Sequence, residues 1–176
     1  ACPNLKLTTW NCARNPRESI FPAIQALDAD FALLQEIAQP KELIDQEIWI
    51  GTNPRQGVGV ISLRGERLKL AACYDPALRY ALPVEVQGPR PFQFLAIWSM
   101  KEPVHYVPNL VAILEYYRTF IGQAPTVVAG DFNANPGFDA VHPEFLFSTI
   151  TAKLEEFGLA SAYHTVTGET HGDETR

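Results

Sequence analysis

Short apolar runs rich in β-forming residues alternate along this chain with stretches of helical period. Near the start, strands are predicted at residues 5–11 and 31–37. A helix is predicted to begin between them at Asn15, with Pro16 at its first position and Glu18 completing a capping box. This alternation is typical of sheets covered by helices, so the chain is expected to be α/β and to form one globular domain over residues 1–176.

The middle of the chain has a different pattern. Apolar and polar positions alternate between turn residues over 57–86, which predicts an antiparallel meander of hairpins. A short helix at 41–45 and a strand at 47–51 are expected before it. Further predictions follow the meander: buried strands at 92–99 and 126–132, amphipathic helices at 108–121 and 146–157, and a last strand at 159–163.

Two similar halves emerge from this order, each with a helix packed over a sheet. Stacking the two sheets face to face, with helices outside, would bury all the apolar runs. The second half ends without strands after the last one, so an exposed sheet edge is expected. Such an edge is a candidate surface for a dimer.

Composition and charge narrow the possible partners. The chain has 176 residues, 47% of them hydrophobic and 19% charged, and a formal net charge of −6 with 14 dispersed basic residues. Strong non-specific attraction to nucleic acid is therefore not expected, because it requires clustered Lys and Arg. No apolar run approaches the roughly 20 residues of a membrane helix, and residues 1–4 lack a signal pattern. The odd set Cys2, Cys12 and Cys73 favours a reducing compartment, so a soluble cytoplasmic protein is expected.

Four polar side chains stand at the ends of predicted strands: Asn11, Glu36, Asp131 and Asn133. Carboxylates at strand ends of an α/β protein converge in a shared crevice. Two carboxylates and two amides form an oxygen ligand set that suits Mg²⁺ or Mn²⁺ and suits zinc poorly. Each residue taken alone has a structural alternative, and Asp131 with Asn133 and Asn135 is also a candidate turn cap.

The segments that carry these residues are LTTWN at 7–11, DADFALLQE at 28–36 and GDFN at 130–133, with GVGV at 57–60 between them. Together, and in this order, they resemble the ordered signatures of the endonuclease/exonuclease/phosphatase superfamily, which includes pancreatic DNase, abasic-site endonucleases, neutral sphingomyelinases and inositol polyphosphate phosphatases. The resemblance implies a four-layered α/β/β/α sandwich of the DNase type. It covers nearly the whole chain, with the family's C-terminal strands apparently absent, so the domain is expected to be truncated at its C-terminus.

The resemblance also implies site roles and a reaction. Glu36 would be the principal ligand of Mg²⁺ or Mn²⁺, and Asn11 would assist it. Asp131 would align or deprotonate the attacking water, and Asn133 would donate a hydrogen bond to a phosphate oxygen. The implied function is metal-dependent hydrolysis of phosphate esters by in-line attack of water, as a phosphodiesterase, nuclease or phosphatase. The substrate class, including nucleic acid, stays open.

Two departures from the family pattern support an alternative. Trp98 lies where the family usually has a histidine, and it would either stack on substrate or fill the core. His105 or Tyr106 would then supply the missing polar contact with substrate. The family's closing Asp-His pair has no counterpart before Arg176. The alternative is therefore a non-catalytic relative that binds a ligand or partner through the same crevice.

The other histidines and Cys12 are assigned structural roles from the sequence. His142, just before a proline, is expected to be an exposed helix-start residue. His164 is expected to be structural and His171 solvated. Cys12 has no adjacent base, so it is interpreted as a small buried residue.

Overall fold

The computed structural model describes residues 5–174 of the chain. These residues form two compact units. The first comprises the chain up to Trp98 together with Phe120–Asp131, and the second comprises Ser99–Thr119 together with the residues from Phe132. Residues 1–4 lie outside the described residues. The expectations for Cys2 and for a signal pattern concern this segment. No helix in the described part of the chain is long and apolar enough to cross a membrane.

The first sheet contains β1 (Leu7–Asn11), β2 (Phe31–Ile37), β3 (Glu47–Asn53) and β4 (Gln56–Ser62), in the order β1-β2-β4-β3. Strands β1 and β2 are parallel because helix α1 (Arg17–Ala26) connects them, whereas the short turn between β3 and β4 makes an antiparallel hairpin. The parallel pairing places the C-terminal ends of β1 and β2 side by side.

The second sheet contains β5 (Arg67–Leu70), β6 (Ala81–Gln87), β7 (Phe92–Trp98) and β8 (Thr126–Asp131), in this order. Strands β5, β6 and β7 pair antiparallel, and β7 and β8 pair parallel, with Trp98 opposite Asp131. The predicted meander is therefore divided, because β4 belongs to the first sheet and β5 and β6 belong to the second.

The side chains of β2 alternate between two buried faces, and this explains how the sheets of the first unit pack. Ala32 and Leu34 face α1, in a cluster with Ile24 of that helix. The opposite face carries Phe31, whose ring lies 5.2 Å from that of Phe94 on β7. Successive side chains of a strand point to opposite faces, so a strand buried on both faces must be apolar throughout. Each sheet thus covers the other, as the sequence predicted.

The second unit contains α2 (Tyr106–Tyr116), a 3₁₀ turn (Pro136–Phe138), α4 (Phe147–Glu156) and α5 (Ala162–Thr167). Helix α3 (Arg118–Gln123) leads back to the first unit. Helices α2 and α4 contact each other, and Lys153 of α4 lies 3.1 Å from the Glu115 carboxylate of α2. Exposed pairs of this kind contribute little, so the buried apolar faces of the helices hold them in place.

Several sequence predictions are wrong in detail. The predicted helix 108–121 is two helices, α2 and α3, with Tyr117 between them. Residues 159–163 form no strand; Ser161 accepts a hydrogen bond from the His164 backbone N–H and begins α5 instead. Residues 41–45 contain no helix. Helix α1 starts without a capping box, because the Glu18 carboxylate pairs with the Lys41 ammonium at 3.1 Å.

Candidate active site

The side chains of Glu36 and Asp131 meet at the amide nitrogen of Asn11. Nδ2 of Asn11 donates hydrogen bonds to Oε1 of Glu36 at 3.1 Å and to Oδ2 of Asp131 at 2.8 Å. Asn11 ends β1, Glu36 lies near the end of β2 and Asp131 ends β8, all in the first unit. The two carboxylate oxygens therefore lie no farther apart than the sum of these two distances, which allows one ion and its water shell to reach both.

The orientation of the Asn11 amide follows from the turn after β1. The backbone N–H of Ala13 donates a 2.9 Å hydrogen bond to Oδ1 of Asn11, and Ala13 has a φ of 49°. With its oxygen engaged in this way, Asn11 presents the NH₂ group to the carboxylates. In this arrangement Asn11 bridges the two acids as a donor, and its role as an oxygen ligand of a metal stays a prediction.

Glu36 is held at an irregular point of β2. The register of the β2–β4 pairing shifts between Gln35 and Ile37, and Glu36 adopts a φ of 53°. Bulges re-aim a side chain, and non-glycine residues with positive φ are concentrated at functional sites, where the surrounding structure sustains the strain. The strained residue at this strand end is therefore consistent with the predicted functional role of its carboxylate.

A cation already pairs with Glu36. Nε of Arg14 lies 3.2 Å from Oε2 of Glu36; the Arg14 side chain is 68% exposed, whereas that of Glu36 is 17% exposed. The sequence analysis did not identify Arg14. The sequence offered only its position three residues after Asn11, because the positive φ of Ala13 and Arg14 that shapes this turn is seen in the structure alone.

The donor set fits a hard divalent cation. Two convergent carboxylates, from Glu36 and Asp131, are the number that Mg²⁺ usually takes from a protein. The observations that support the fit are that Asn11 holds the two carboxylates together and that the Arg14 guanidinium already pairs with Glu36. Glu36 and Asp131 are the residues that would hold the ion.

Gly130 sets the path of β8 just before Asp131. Its φ is 147°, and a Cβ built at this position would lie 1.8 Å from the carbonyl oxygen of Ile97 on β7. Only glycine permits this close approach of the two strands. Asn135 fulfils the turn-cap role considered for this segment, because its Oδ1 accepts a 2.7 Å hydrogen bond from Gly137 N–H.

Trp98 does not offer a face to substrate. Its side chain is buried at 6% exposure, and its indole stacks on the ring of Tyr80 at 5.2 Å with an interplanar angle of 11°. The assignment of Trp98 as a substrate-binding residue is therefore corrected in favour of the core-filling alternative, because its available aromatic face is taken by Tyr80.

His105 and Tyr106, the other predicted substrate-binding residues, line a cavity of about 480 Å³ within the second unit. The His105 ring stacks on Phe145 at 4.5 Å and lies 4.7 Å from the ring of His142. Asn133 also lines this cavity, with its Nδ2 donating a 3.1 Å hydrogen bond to the carbonyl of Ser99. The sequence analysis did not identify Phe145. Its expectation that His142 is an exposed helix-start residue is wrong, because His142 is half-buried against His105 and α4 begins only at Phe147.

One polar atom of His105 lacks a partner within residues 5–174. Its Nδ1 is buried and makes no hydrogen bond to this part of the chain. Burial lowers the pKa of His105, and the nearby His142 and Lys101 lower it further. The imidazole is therefore mostly neutral at neutral pH.

Comparison with solved structures identifies the fold. The chain superposes on the endonuclease domain of TRAS1, a telomere-specific non-LTR retrotransposon, with a TM-score of 0.61 at 14% identity, covering 88% of this chain and 71% of that one. It superposes on a humanized TDP2 from D. rerio with a TM-score of 0.55 at 13% identity, covering 94% and 72%. For an AP endonuclease from Archaeoglobus fulgidus, the TM-score is 0.50 at 17% identity, covering 76% and 59%. This chain has the endonuclease/exonuclease/phosphatase fold.

The resemblance seen in the short sequence signatures is thus confirmed at the level of fold, together with the α/β class and the paired sheets. The endonuclease/exonuclease/phosphatase fold is that of metal-dependent phosphodiesterases and nucleases. No protein-family model matches the sequence, and no curated protein matches it either. The roles of individual residues therefore stay predictions.

The thiol beside the site is not a nucleophile in this endonuclease/exonuclease/phosphatase fold. Cys12 is 1% exposed, and burial raises its pKa to about 11. Its Sγ contacts the carbonyl of Trp10 at 3.6 Å. A thiol that is protonated at neutral pH and packed against α1 acts as a core residue, in agreement with the sequence interpretation.

Proposed function

We propose that this chain is a Mg²⁺- or Mn²⁺-dependent hydrolase of phosphate esters whose reacting groups are Glu36, Asp131, Asn11 and Asn133. The observation that carries the proposal is the double hydrogen bond from Asn11 to Glu36 and Asp131, which brings three separate strand ends to one point. Like charges repel, and Asn11 and Arg14 offset this repulsion here; a divalent cation between the two carboxylates would offset it further.

Each residue of the set has a distinct task in the proposal. Glu36 binds the cation, which when present neutralises charge on the scissile phosphate. Asp131 accepts a proton from water, or orients it, and so supplies general-base catalysis worth roughly 10² to 10⁴ in rate. Asn11 holds the two carboxylates in a fixed relation, and Asn133 donates a hydrogen bond to a phosphate oxygen.

His105 and Tyr106, which line a cavity within the second unit, stay proposed substrate-binding residues. The aromatic side chains that line this cavity suit a planar ring. The D. rerio TDP2 relative has been solved with a single-strand DNA product. Single-stranded DNA is therefore the first nucleic-acid substrate to test, although the net charge of −6 predicts weak, salt-sensitive binding.

The test is hydrolysis of bis(p-nitrophenyl) phosphate, single-stranded DNA and plasmid DNA with Mg²⁺, Mn²⁺ or EDTA. Native protein is compared with Glu36→Ala and Asp131→Ala, and with Glu42→Ala as a control at an exposed acid. The proposal predicts cation-dependent activity that falls at least about 100-fold in the first two variants and is unchanged in the control. Equal activity in all four proteins would refute the site.

The alternative of a binding module gives a different result in the same assay. It predicts no hydrolysis by native protein, with divalent-cation or ligand binding that is still lost in Glu36→Ala. For the cavity, His105→Ala is expected to raise KM for aromatic esters while leaving kcat nearly unchanged, because the residue contributes binding in ground and transition states alike.

A further inference from the structure

A second group of potential metal ligands lies at the other end of the described chain. His164, His171 and Glu174 each offer one ligand atom, and these atoms lie within 4.8 Å of one another. Nε2 of His164 is 3.1 Å from Oε1 of Glu174, and the two imidazole centroids are 3.8 Å apart. We propose that these three side chains bind a Zn²⁺-class divalent ion, a site separate from the one at Glu36 and Asp131.

Two of the ligands are oriented by hydrogen bonds on their far atoms. Oγ of Ser161 lies 2.7 Å from Nδ1 of His164, which directs Nε2 of the same ring toward the cluster. Oε2 of Glu174 accepts a 3.0 Å hydrogen bond from Gly172 N–H, which leaves Oε1 facing His164. Protein metal sites use this arrangement, in which an outer partner fixes the tautomer and direction of each ligand.

The backbone that follows α5 brings the ligands together. Gly168 ends the helix in the left-handed conformation with a φ of 73°, and the chain then turns back, with Asp173 N–H donating a 3.1 Å hydrogen bond to the carbonyl of Thr170. His171 lies within this turn and Glu174 directly follows it, so both return to His164 on the helix. His171 is exposed, as the sequence analysis expected, but that analysis did not predict its proximity to His164.

The chemistry of the set selects the ion. Two imidazole nitrogens and one carboxylate oxygen suit Zn²⁺, which commonly takes three protein ligands and a water. Mg²⁺ prefers oxygen ligands and does not compete well for imidazole. A bound ion would join α5 to the turn at residues 168–174.

The test is titration of untagged full chain with Zn²⁺ by calorimetry and with Co²⁺ by visible absorption. Native protein is expected to bind one ion and to give the visible bands of nitrogen- and oxygen-ligated Co²⁺. His164→Ala and His171→Ala should abolish this binding, and Ser161→Ala should weaken it about 10- to 100-fold. His142→Ala, a histidine outside the cluster, is the matched control and should bind as native protein does.

Three results would overturn the proposal. They are no Zn²⁺ binding by native protein, equal affinity in the His164→Ala and native proteins, or a strong near-ultraviolet thiolate-to-cobalt band, which would assign the ion to a cysteine such as the exposed Cys73. The proposal does not rest on phosphoesterase activity. Glu36→Ala should leave Zn²⁺ affinity unchanged, so failure of one site is distinguishable from failure of the other.

Discussion

Gly130→Ala is expected to be strongly destabilising, because two independent costs fall on one methyl group. The φ of 147° is a conformation that L-residues rarely adopt, which costs about 1–3 kcal/mol. The added Cβ would also lie 1.8 Å from the carbonyl oxygen of Ile97, so β7 and β8 must separate, which costs about another 1–3 kcal/mol. The expected total is about 4 kcal/mol, a large share of the roughly 5–15 kcal/mol that stabilises a domain.

The same chemical change at two other glycines separates these costs. Gly122→Ala lies in helix α3, where a new Cβ meets nothing within 4 Å, and should stabilise the protein by up to about 1 kcal/mol. Gly158→Ala has open space but a φ of 75°, and should cost about 1–2 kcal/mol from backbone strain alone.

The assay is urea unfolding followed by tryptophan fluorescence and circular dichroism, with the free energy of unfolding obtained by linear extrapolation. The expected order of stability is Gly122→Ala, native, Gly158→Ala and Gly130→Ala. If the free energy of unfolding of Gly130→Ala lies within about 0.5 kcal/mol of the native value, β7 and β8 do not approach as closely as described just before Asp131. The position of Asp131 at the candidate site would then lose its structural basis.

Three further predictions concern the first unit. Arg17→Met leaves the buried Glu47 carboxylate without its 2.6 Å partner and should cost about 3–5 kcal/mol near neutral pH, with recovery when Glu47→Gln is added. Burial raises the pKa of Glu47, and Arg17 opposes this rise. The stability contributed by the protonated carboxyl group is therefore lost as pH rises above about 4.5. In urea unfolding at several pH values, the destabilisation caused by Arg17→Met should become smaller as the pH is lowered. Asn11→Asp places a third carboxylate beside Glu36 and Asp131 and should lower the free energy of unfolding by about 2 kcal/mol without metal. In urea unfolding, Mg²⁺ should restore most of this free energy. Equal stability of the variant with and without Mg²⁺ would count against the cation site. Native Cys12 should react with DTNB at least about tenfold more slowly than Cys73, as peptide mapping can check, and equal rates would contradict its burial.

The strands that carry the candidate site could be predicted from the sequence, because strands and their ends follow from local patterns of apolar residues. The buried strands at 31–37 and 126–132 can be recognised as apolar runs. Glu36 and Asp131 lie near the C-terminal ends of these strands. The parallel pairing of β1 with β2 follows from the helix between them. The convergence of Asn11 with these two acids was thus within reach of sequence reasoning.

Other features depend on contacts between distant residues, which a local pattern does not contain. The stacking of Trp98 on Tyr80 turned a proposed substrate contact into a core residue. The orientation of the Asn11 amide depends on the turn at Ala13. The pairing of Arg14 with Glu36 depends on positive φ angles, which cannot be predicted from the residue types at these positions. A short apolar run became α5 rather than a strand because one serine hydroxyl capped the helix.

The central claim is that Glu36 and Asp131 share one divalent cation. The most direct measurement is Mn²⁺ binding by electron paramagnetic resonance, made in the His164→Ala background so that the second proposed site does not contribute. The account predicts one bound ion in that protein and in its Glu42→Ala variant, with affinity at least about tenfold weaker when either Glu36 or Asp131 is changed to Ala. Equal Mn²⁺ affinity in all four proteins would contradict it.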